Sequence, residues 1–407
     1  MISVDEAVEI VINNTDVLEP RLITINEAMG FFLAEDIISD IDMPPFNRSA
    51  MDGYALIAED IEDVPCDLEV IETISAGCAP EKQVRKGLAS KIMTGAIVPE
   101  GADTVIMVED TESIDNGARV RIMKQTKKGK NIALKGEDVE SGQVVLKKGQ
   151  EVRPQEIGVL ASVGAERFKV FRSPNVGIIA TGDELVEINV KPGAGQIRNS
   201  NGYSLAAQAR QIVNDVEILE VAADNQEKIC SIIELGLKKD VLILSGGVSM
   251  GDYDFVGKVL KEMEVEVFFE KVSLRPGKPT LFAKKGRTHI FALPGNPVAT
   301  FVTFELFVYP AIRKMRRSAS LTKPVITAVL ETDYIAKKKR TEYRPAYIKL
   351  CDGKFRVKPV NWHGSGDLLS ITNANCLLIV PEEIQKMDAN QDVNVMLLSA
   401  LSANENI

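Results

Sequence analysis

The chain has 407 residues, of which 48 are lysine or arginine and 58 are aspartate or glutamate, so its formal net charge is -10. This acidic balance opposes broad binding to a phosphate backbone, and we therefore expect no nucleic-acid partner. At roughly 100 to 200 residues per domain, the length predicts about two to four domains.

The sequence has none of the marks of a membrane or disulfide-stabilised protein. No apolar run approaches the roughly 18 residues of a membrane span, and the N-terminus lacks a basic stretch followed by an apolar one. The five cysteines lie without a CxxC pair, which favours reduced thiols over disulfides or structural zinc. We expect a cytoplasmic protein with no membrane partner, and we expect His289 and His363 to be packing or surface residues.

The N-terminal region begins with a predicted amphipathic helix, because Ser3 and Glu6 have the spacing of a capping box. Its apolar residues recur at helical spacing, namely Val4, Ala7, Val8 and Val11. A proline-rich loop, DMPPFNRSAMDGYAL, then places Asp52 beside Gly53, and short apolar runs with glycines predict β structure. A second helix is expected from Pro154. We predict a mixed N-terminal body, residues 1–40 and 135–172, with an inserted β-rich module at residues 41–134.

From about residue 173 the pattern alternates between strands and helices, which predicts a parallel sheet with right-handed crossovers. We assign residues 173–318 to a central three-layer α/β domain. The remaining residues, 319–407, show short β runs separated by turn residues and no long helix, which indicates a C-terminal β-barrel with a sandwich as the alternative. The predicted fold class is therefore α/β multidomain.

Several acidic and small residues follow the strands of the central domain. Open α/β sheets bind ligands outside the carboxyl ends of their strands, so these loops should meet in one crevice. Gly246 and Gly247 allow backbone N–H groups to turn toward a phosphate and Ser249 adds a hydroxyl, although an ordinary tight turn explains the glycine pair equally well. Asp183 and Asp252 are predicted to be helix caps. The carboxylates that suit a hydrated Mg²⁺ ion are Glu184, Asp224 and Asp254.

Two stiff loops add positive charge and backbone donors. Arg275 and Lys278 flank the PG pair of LRPGKP, which favours a small oxyanion over a solvated turn. The PGNP loop combines Pro294 and Pro297 with N–H groups at a helix start. The basic run 337–340 is predicted to be a solvated hairpin edge, with an anion clamp as the alternative. Together these loops predict a Mg²⁺-dependent enzyme that acts on a phosphorylated, anionic small molecule.

The order of the motifs is more informative than any one of them. Along the chain they are PPFNRSAMDGYA, IMTGAIVPEGADTVIMVED, GED, TGDEL, SGGVSMGDYD, RPGKP and LPGNPVA. This set resembles the MoeA family of molybdopterin molybdenumtransferases, to which the C-terminal part of gephyrin also belongs. The resemblance implies a central domain of the molybdopterin-binding type and a homodimer. It also implies Mg²⁺-dependent insertion of molybdate, or tungstate in some microbes, into adenylylated molybdopterin with loss of AMP.

The same resemblance implies roles for individual residues. Asp52 and Thr94 match positions on the inserted module that face the cleft of the partner subunit, and Asp138 matches another functional position. The run Ser245 to Ser249 matches the phosphate-contacting glycine loop. The residues that match the acids around Mg²⁺ and the pyrophosphate are Glu184, Asp224 and Asp254.

The oxyanion pocket of the family matches a further set of residues, namely Lys278, Pro279 and Ser365. Its arginine corresponds to Arg340 or Arg344, of which Arg344 is better held by the following Pro345. This chain departs from the common family pattern at Arg275, where a lysine is usual, and at Ala299, where many members have serine. Arginine keeps the charge but offers a planar fork, so the preference between molybdate and tungstate is open.

Two other functions compete with this one. The molybdopterin adenylyltransferase of the preceding step, or a CinA-like nucleotide hydrolase, would share the central domain but lack the SAMDGY and MTGA module. A gephyrin-like scaffold would anchor partner peptides, but the sequence contains nothing that resembles a linker or a fused partner domain. The adenylyltransferase is also a candidate partner of this protein.

Overall fold

The computed structural model describes residues 1–222, 226–247, 255–336 and 339–399. The chain begins with helix α1, Val4–Asn13, and Ser3 caps it because the Ser3 hydroxyl accepts a hydrogen bond from the Glu6 backbone N–H at 3.1 Å. The buried face of α1 packs on the helices that close the central domain, so the predicted amphipathic helix is confirmed. Within the described ranges, no helix is long and apolar enough to cross a membrane.

The N-terminal body starts with strands β1, Pro20–Thr24, and β2, Ile37–Ile38, and the chain then enters a β-rich module. The module strands are β3, Arg48–Ser49; β4, Gly53–Leu56; β5, Cys66–Ile74; β6, Leu88–Ile92; β7, Thr104–Met107; β8, Thr111–Ile114; β9, Arg119–Ile122; and β10, Ile132–Ala133. Short 3₁₀ helices lie at Ile25–Glu27, Ala58–Ile61, Val108–Asp110 and Asp115–Gly117. Six of the strands form one sheet in the order β7-β4-β6-β5-β9-β8.

After the module the chain returns to the body as β11, Val144–Leu146, helix α2, Pro154–Ser162, and β12, Arg167–Phe171. Strand β11 pairs antiparallel with β2, and β12 pairs antiparallel with β1. The residues that share the resulting core come from both stretches and include Leu33, Leu160 and Phe168. The structure therefore confirms an inserted β-rich module and a helix that begins at Pro154.

The central domain is built on a six-stranded sheet with helices on both faces, and three of its short strands lie outside that sheet. Its strands are β13, Val176–Thr181; β14, Leu185–Val186; β15, Ile197–Arg198; β16, Val216–Ala222; β17, Val241–Ser245; β18, Glu266–Phe269; β19, Leu274–Arg275; β20, Leu281–Lys285; and β21, Thr288–Leu293. Its helices are α3, Ser200–Arg210; α4, Gln226–Gly236; α5, Phe255–Glu262; α6, Pro297–Thr303; and α7, Tyr309–Met315, with a π-helical turn at Phe304–Val308 between the last two.

The strand order is β16-β13-β17-β21-β20-β18. Neighbours from β16 to β21 are parallel, but β20 runs antiparallel to both β21 and β18. The sheet is thus mixed at one edge, where two residues connect β20 to β21 as a hairpin. Consecutive side chains of β13 point to opposite faces: Ile178 packs with α1, α3 and α6, and Ile179 packs with α4 and α5. The predicted three-layer domain is confirmed.

The C-terminal region is a closed five-stranded barrel, so the predicted barrel is confirmed over the sandwich. Its elements are β22, Val325–Leu330; β23, Tyr334–Ile335; β24, Thr341–Cys351; β25, Lys354–Pro359; helix α8, Leu368–Thr372; β26, Cys376–Val380; β27, Lys386–Met387; and β28, Asp392–Leu397. The barrel closes through the order β24-β25-β22-β28-β26, because β26 pairs back to β24. Strand β19 pairs with β24 and so joins the central domain to the barrel.

The cysteines and histidines behave as expected from the sequence. All five cysteines are free. His289 is buried, its Nε2 lies 3.0 Å from the Asn14 carbonyl oxygen, and burial lowers its pKa. The exposed His363 ring lies 3.3 Å from an Asp367 carboxylate oxygen at the surface.

Candidate active site

A cavity of about 560 Å³ opens at the carboxyl edge of the central sheet. The ends of β13, β17 and β21 form its floor, as expected for a ligand site of an open α/β sheet. Residues of its wall include Thr181, Glu184, Arg198, Asn201, Ser245, Gly246, Gly247, Pro279, Pro294, Gly295, Asn296, Pro297 and Gly366.

Many residues singled out in the sequence lie in this wall. They are Glu184, Ser245, Gly246, Gly247, Pro279, Pro294 and Pro297. Four others, Asp224, Ser249, Asp252 and Asp254, lie outside the described residues. Asp183 does not cap a helix as predicted, because the chain continues from it through a turn into strand β14.

The two positions directly after β17 require glycine, because of their backbone conformation and the atoms packed against them. Gly246 and Gly247 have φ angles of 95° and 65°, a backbone conformation that L side chains rarely adopt. A Cβ atom on Gly246 would lie 2.5 Å from the Thr181 carbonyl oxygen, and one on Gly247 would lie 2.7 Å from a methyl group of Val256. The backbone of this turn therefore packs directly on β13, and its glycines leave the cavity open for a ligand to approach the main chain.

Three asparagines of the wall, Asn199, Asn201 and Asn296, were not predicted from the sequence, and two of them bond to other loops. Asn201 donates two hydrogen bonds through Nδ2, to Ser245 Oγ at 2.9 Å and to the Gly295 carbonyl oxygen at 2.7 Å. Asn296 Nδ2 donates to Ser365 Oγ at 2.9 Å. The PGNP motif was singled out in the sequence for its two prolines. Its asparagine stands at the start of a helix, where asparagine often acts as a cap, and that position could have indicated Asn296.

Glu184 is the acidic side chain that this wall offers to a cation. A carboxylate is the hard oxygen ligand that Mg²⁺ prefers, so Glu184 fits such an ion by its chemistry. Within the described parts of the chain, no three His, Cys, Asp or Glu side chains come together as a metal site. The other two predicted ligands, Asp224 and Asp254, are outside those parts.

A basic group lies where the central domain joins the barrel. Pairing of β19 with β24 places Arg275 Nε 3.9 Å from Oε1 of the buried Glu342. Arg340 Nη1 donates a hydrogen bond to the Leu274 carbonyl oxygen at 3.1 Å. Lys278, in the same loop as Arg275, is exposed. These three cations do not line the cavity, but Pro279, next to Lys278, does.

Arg344 is held more tightly than Arg340, as the following proline suggested. Its guanidinium carbon lies 4.5 Å from the centre of the Trp362 ring and 5.8 Å from that of Tyr334, and Nη2 donates to the Val360 carbonyl oxygen at 2.9 Å. Burial, together with the charge of Arg275, lowers the Arg344 pKa. Its buried Nε has no hydrogen-bond partner among the described residues.

Asp52 and Thr94 of the module, and Asp138 just after it, are absent from the wall of this cavity. Thr94 donates to Asp52 Oδ1 from its backbone N–H at 2.7 Å and from its hydroxyl at 2.8 Å, and these bonds lower the pKa of the exposed Asp52 carboxyl. Asp138 is exposed in the loop between β10 and β11, and its backbone N–H donates to the Met43 carbonyl oxygen at 3.0 Å. Sequence motifs 42 residues apart thus form one contact, Asp52 with Thr94.

Three family models match consecutive stretches of the chain. Residues 2–164 match the MoeA N-terminal region, domains I and II. Residues 177–314 match a probable molybdopterin binding domain, and residues 327–398 match the MoeA C-terminal region, domain IV.

Individual proteins agree with these models over the whole chain. Molybdopterin molybdenumtransferases of Staphylococcus aureus and Staphylococcus epidermidis are 34% and 35% identical over 411 residues, which span 100% of this chain and 98% of each relative. The crystal structure of a molybdopterin biosynthesis MoeA protein from Pyrococcus horikoshii OT3 matches with a TM-score of 0.82 and 30% identity, covering 98% of this chain and 100% of that one.

The fold and these similarities therefore define an enzyme of molybdenum cofactor biosynthesis, in which the domain that matches the probable molybdopterin binding domain follows an N-terminal body and precedes a C-terminal barrel in the chain. The chain belongs to the MoeA family of molybdopterin molybdenumtransferases.

Proposed function

We propose that this protein inserts molybdate, or tungstate, into adenylylated molybdopterin and releases AMP. The observation that carries the proposal is the cavity at the carboxyl edge of the sheet, whose glycine turn presents main-chain groups to a ligand beside the carboxylate of Glu184. Its volume of about 560 Å³ suits a nucleotide-sized substrate. The names of the Staphylococcus relatives support the same activity.

The phosphates of the substrate bind to the sequence run from Ser245 to Ser249 in this proposal. The acids that would hold Mg²⁺ there are Glu184, Asp224 and Asp254. When bound, the ion would neutralise the charge of the pyrophosphate. Ser245 is buried at the cavity floor and its hydroxyl already accepts a hydrogen bond from Asn201, which fixes the start of the turn.

The oxyanion pocket is formed by the basic group and the loop that reaches the cavity. Its residues in the proposal are Arg275, Lys278, Pro279, Ser365 and either Arg340 or Arg344. A molybdate oxygen attacks the adenylyl phosphorus and the bond between the two phosphates breaks. AMP leaves with that oxygen once molybdenum has bonded the dithiolene sulfurs. No protein nucleophile is required in this scheme.

The proposal includes a homodimer in which Asp52 and Thr94 of one subunit face the cavity of the other, and it keeps Asp138 as a further functional residue. This arrangement accounts for a fixed, exposed carboxylate on a module that does not line the cavity of its own chain. The four-part domain division at residues 1–40 with 135–172, 41–134, 173–318 and 319–407 belongs to the same proposal. A cytoplasmic location and hand-off from the adenylyltransferase complete it.

The test follows AMP release from adenylylated molybdopterin with Mg²⁺ and either molybdate or tungstate, together with reconstitution of an apo-molybdoenzyme. We expect oxyanion-dependent AMP release, and the more effective oxyanion identifies the preferred metal. Glu184→Gln should lower kcat/KM by roughly a hundredfold, in the range for loss of one electrostatic group. Glu187→Gln is the matched control, because Glu187 is exposed at the other end of the short strand β14 and lies outside the cavity wall.

Each failure has a separate meaning. No AMP release with either oxyanion would overturn the proposed reaction and favour an adenylyltransferase or a peptide-binding scaffold. AMP release that survives Glu184→Gln unchanged would overturn the assignment of this carboxylate to the site.

A further inference from the structure

Two of the three asparagines in the cavity wall, Asn201 and Asn296, connect three segments that are distant in the sequence. Asn201, at the start of α3, holds the end of β17 to the loop after β21. Asn296, in that second loop, bonds Ser365 of the segment that precedes α8. We propose that both are positioning residues: Asn201 fixes the phosphate-binding turn, and Asn296 fixes the Ser365 hydroxyl in the oxyanion pocket. The inference rests on the proposed function.

The geometry of Asn201 leaves its amide no freedom. An amide nitrogen carries two hydrogens, and Asn201 uses both, one for each loop. The two loops also lie close together, since the Gly246 N–H donates to the Leu293 carbonyl oxygen at 3.2 Å and a Cβ atom on Gly295 would lie only 3.6 Å from the Gly246 Cα. A shift of either loop would therefore break a hydrogen bond, so Asn201 determines how far apart Ser245 and Gly295 stand across the cavity floor.

Asn296 occupies a helix-capping position without using its side chain as a cap. It is the N-cap residue of α6, where asparagine normally accepts a hydrogen bond from the first turn, but no such bond is present. Its amide instead turns to Ser365 across the junction with the C-terminal region. The Ser365 carbonyl oxygen already accepts from the Val298 backbone N–H at 3.0 Å, so the backbone is tied without Asn296. What the Asn296 amide adds is the orientation of the Ser365 hydroxyl.

A purely structural role predicts different behaviour from a positioning role. If the asparagines only attach one loop to another, their loss should lower thermal stability and reduce the affinity for every ligand together. If they position separate ligand groups, each should affect one ligand and spare the other. Asn296→Asp sharpens this contrast, because aspartate caps a helix as well as asparagine but would place a negative charge next to Ser365.

The experiment is calorimetric titration of the purified full-length protein with AMP and, separately, with sodium molybdate, alongside thermal unfolding of each variant. We expect Asn201→Ala to weaken AMP binding roughly tenfold, which corresponds to one net hydrogen bond, with molybdate binding unchanged. We expect Asn296→Ala to weaken molybdate binding by a similar factor, Asn296→Asp to weaken it further, and neither to change AMP binding. Asn201→Ser gives a second variant that is too short to reach both loops.

Asn373→Ala is the matched control, because this exposed amide donates one hydrogen bond within α8, just after the Ser365 segment. It should bind both ligands as the wild type does. The inference is overturned if the Asn201 and Asn296 variants bind both ligands normally, or if both affinities fall together with the unfolding temperature. Failure of the wild-type protein to bind either probe would instead overturn the placement of the substrate in this cavity, and with it the inference.

Discussion

Among single residues, Asp52 shows how local hydrogen bonds can fix the orientation of a surface carboxylate. Two donors of Thr94 reach the same oxygen, Oδ1, so the carboxylate has one preferred orientation and its pKa is lowered. It stays ionised through the neutral range while its second oxygen remains available. An exposed aspartate without such donors would rotate freely and lose that preference.

Thr94→Val tests whether this orientation matters. Valine has the shape of threonine but lacks the hydroxyl donor, so one of the two bonds is lost, the Asp52 pKa rises, and the carboxylate gains rotational freedom. We expect kcat/KM for AMP release to fall roughly tenfold with little change in unfolding temperature. Asp60→Asn is the control, since Asp60 Oδ2 also accepts a backbone hydrogen bond in the module, from Gly87 at 2.8 Å. Equal loss in both variants would show a general effect on the module.

Residues that act through local sequence were easier to predict than those that act through distant contacts. The spacing of a helix start indicates Ser3, and the backbone freedom of glycine indicates Gly246 and Gly247. Asn201 was missed because its partners are 44 and 94 residues away, and no spacing along the chain encodes such a pair. Asp183 was misjudged for a related reason: a cap requires a helix after it, and the chain forms β14 there instead.

On the scale of elements, the long helical run from α6 to α7 buries a charged residue at its π turn. Glu305 is 4% exposed, and its carboxylate lies 3.4 Å from Lys323 Nζ and accepts a hydrogen bond from Gln208 Nε2 at 2.8 Å. Burial raises the Glu305 pKa, and the Lys323 charge opposes that rise only in part. The folded state therefore holds a proton on Glu305 more readily than the unfolded chain does, and stability decreases as the pH rises through this pKa.

Removal of the Lys323 charge should show how much the buried Glu305 carboxylate lowers the free energy of unfolding when it has no cationic partner. Lys323→Met is expected to lower the free energy of unfolding by about 3 kcal/mol at pH 7, because it leaves an uncompensated buried charge. The deficit should shrink toward pH 4, where the carboxyl is protonated, and it should also shrink when Glu305→Gln is added. Urea unfolding of the single and double variants at both pH values measures this.

A surface lysine supplies the comparison. Lys386 pairs with the exposed Asp333 and Asp388, so Lys386→Met should change stability little at either pH. A Lys323→Met deficit that is the same at pH 4 and pH 7 would mean that lost packing, and not the Glu305 charge, causes the effect.

Element types were largely predictable, and strand partners were not. Continuous apolar runs such as VGIIAT and VLILS mark strands buried on both faces, which is why the central sheet could be predicted. The reversal of β20 has no comparable signal, because LFAKK and THIFAL look alike whichever way the first one runs. Direction there is set by the short connection, which is too brief for a parallel crossover.

At the scale of the whole molecule, the separation of the module from the cavity is the main feature to explain. Asp52 and Thr94 do not line the cavity of their own chain, whereas Glu184 does. In the proposed homodimer each active site takes its cavity from one subunit and its module from the other, so each subunit contributes to two sites.

This arrangement predicts that two inactive variants can restore activity to each other. A subunit with Asp52→Ala keeps an intact cavity, and one with Glu184→Gln keeps an intact module. If they assort at random, half of the dimers are mixed, and each mixed dimer has one complete site of two, so AMP release should return to about a quarter of the wild-type rate in the unfractionated mixture and to about half of it in the purified mixed dimer. Co-expression with two different affinity tags and assay of the doubly tagged dimer measure it directly.

Asp52→Ala co-expressed with Thr94→Val should give no such recovery beyond the residual activity of Thr94→Val, because both changes damage the module. If the Asp52→Ala and Glu184→Gln dimers stay inactive, the module must serve the cavity of its own chain, and the dimer-shared site is wrong.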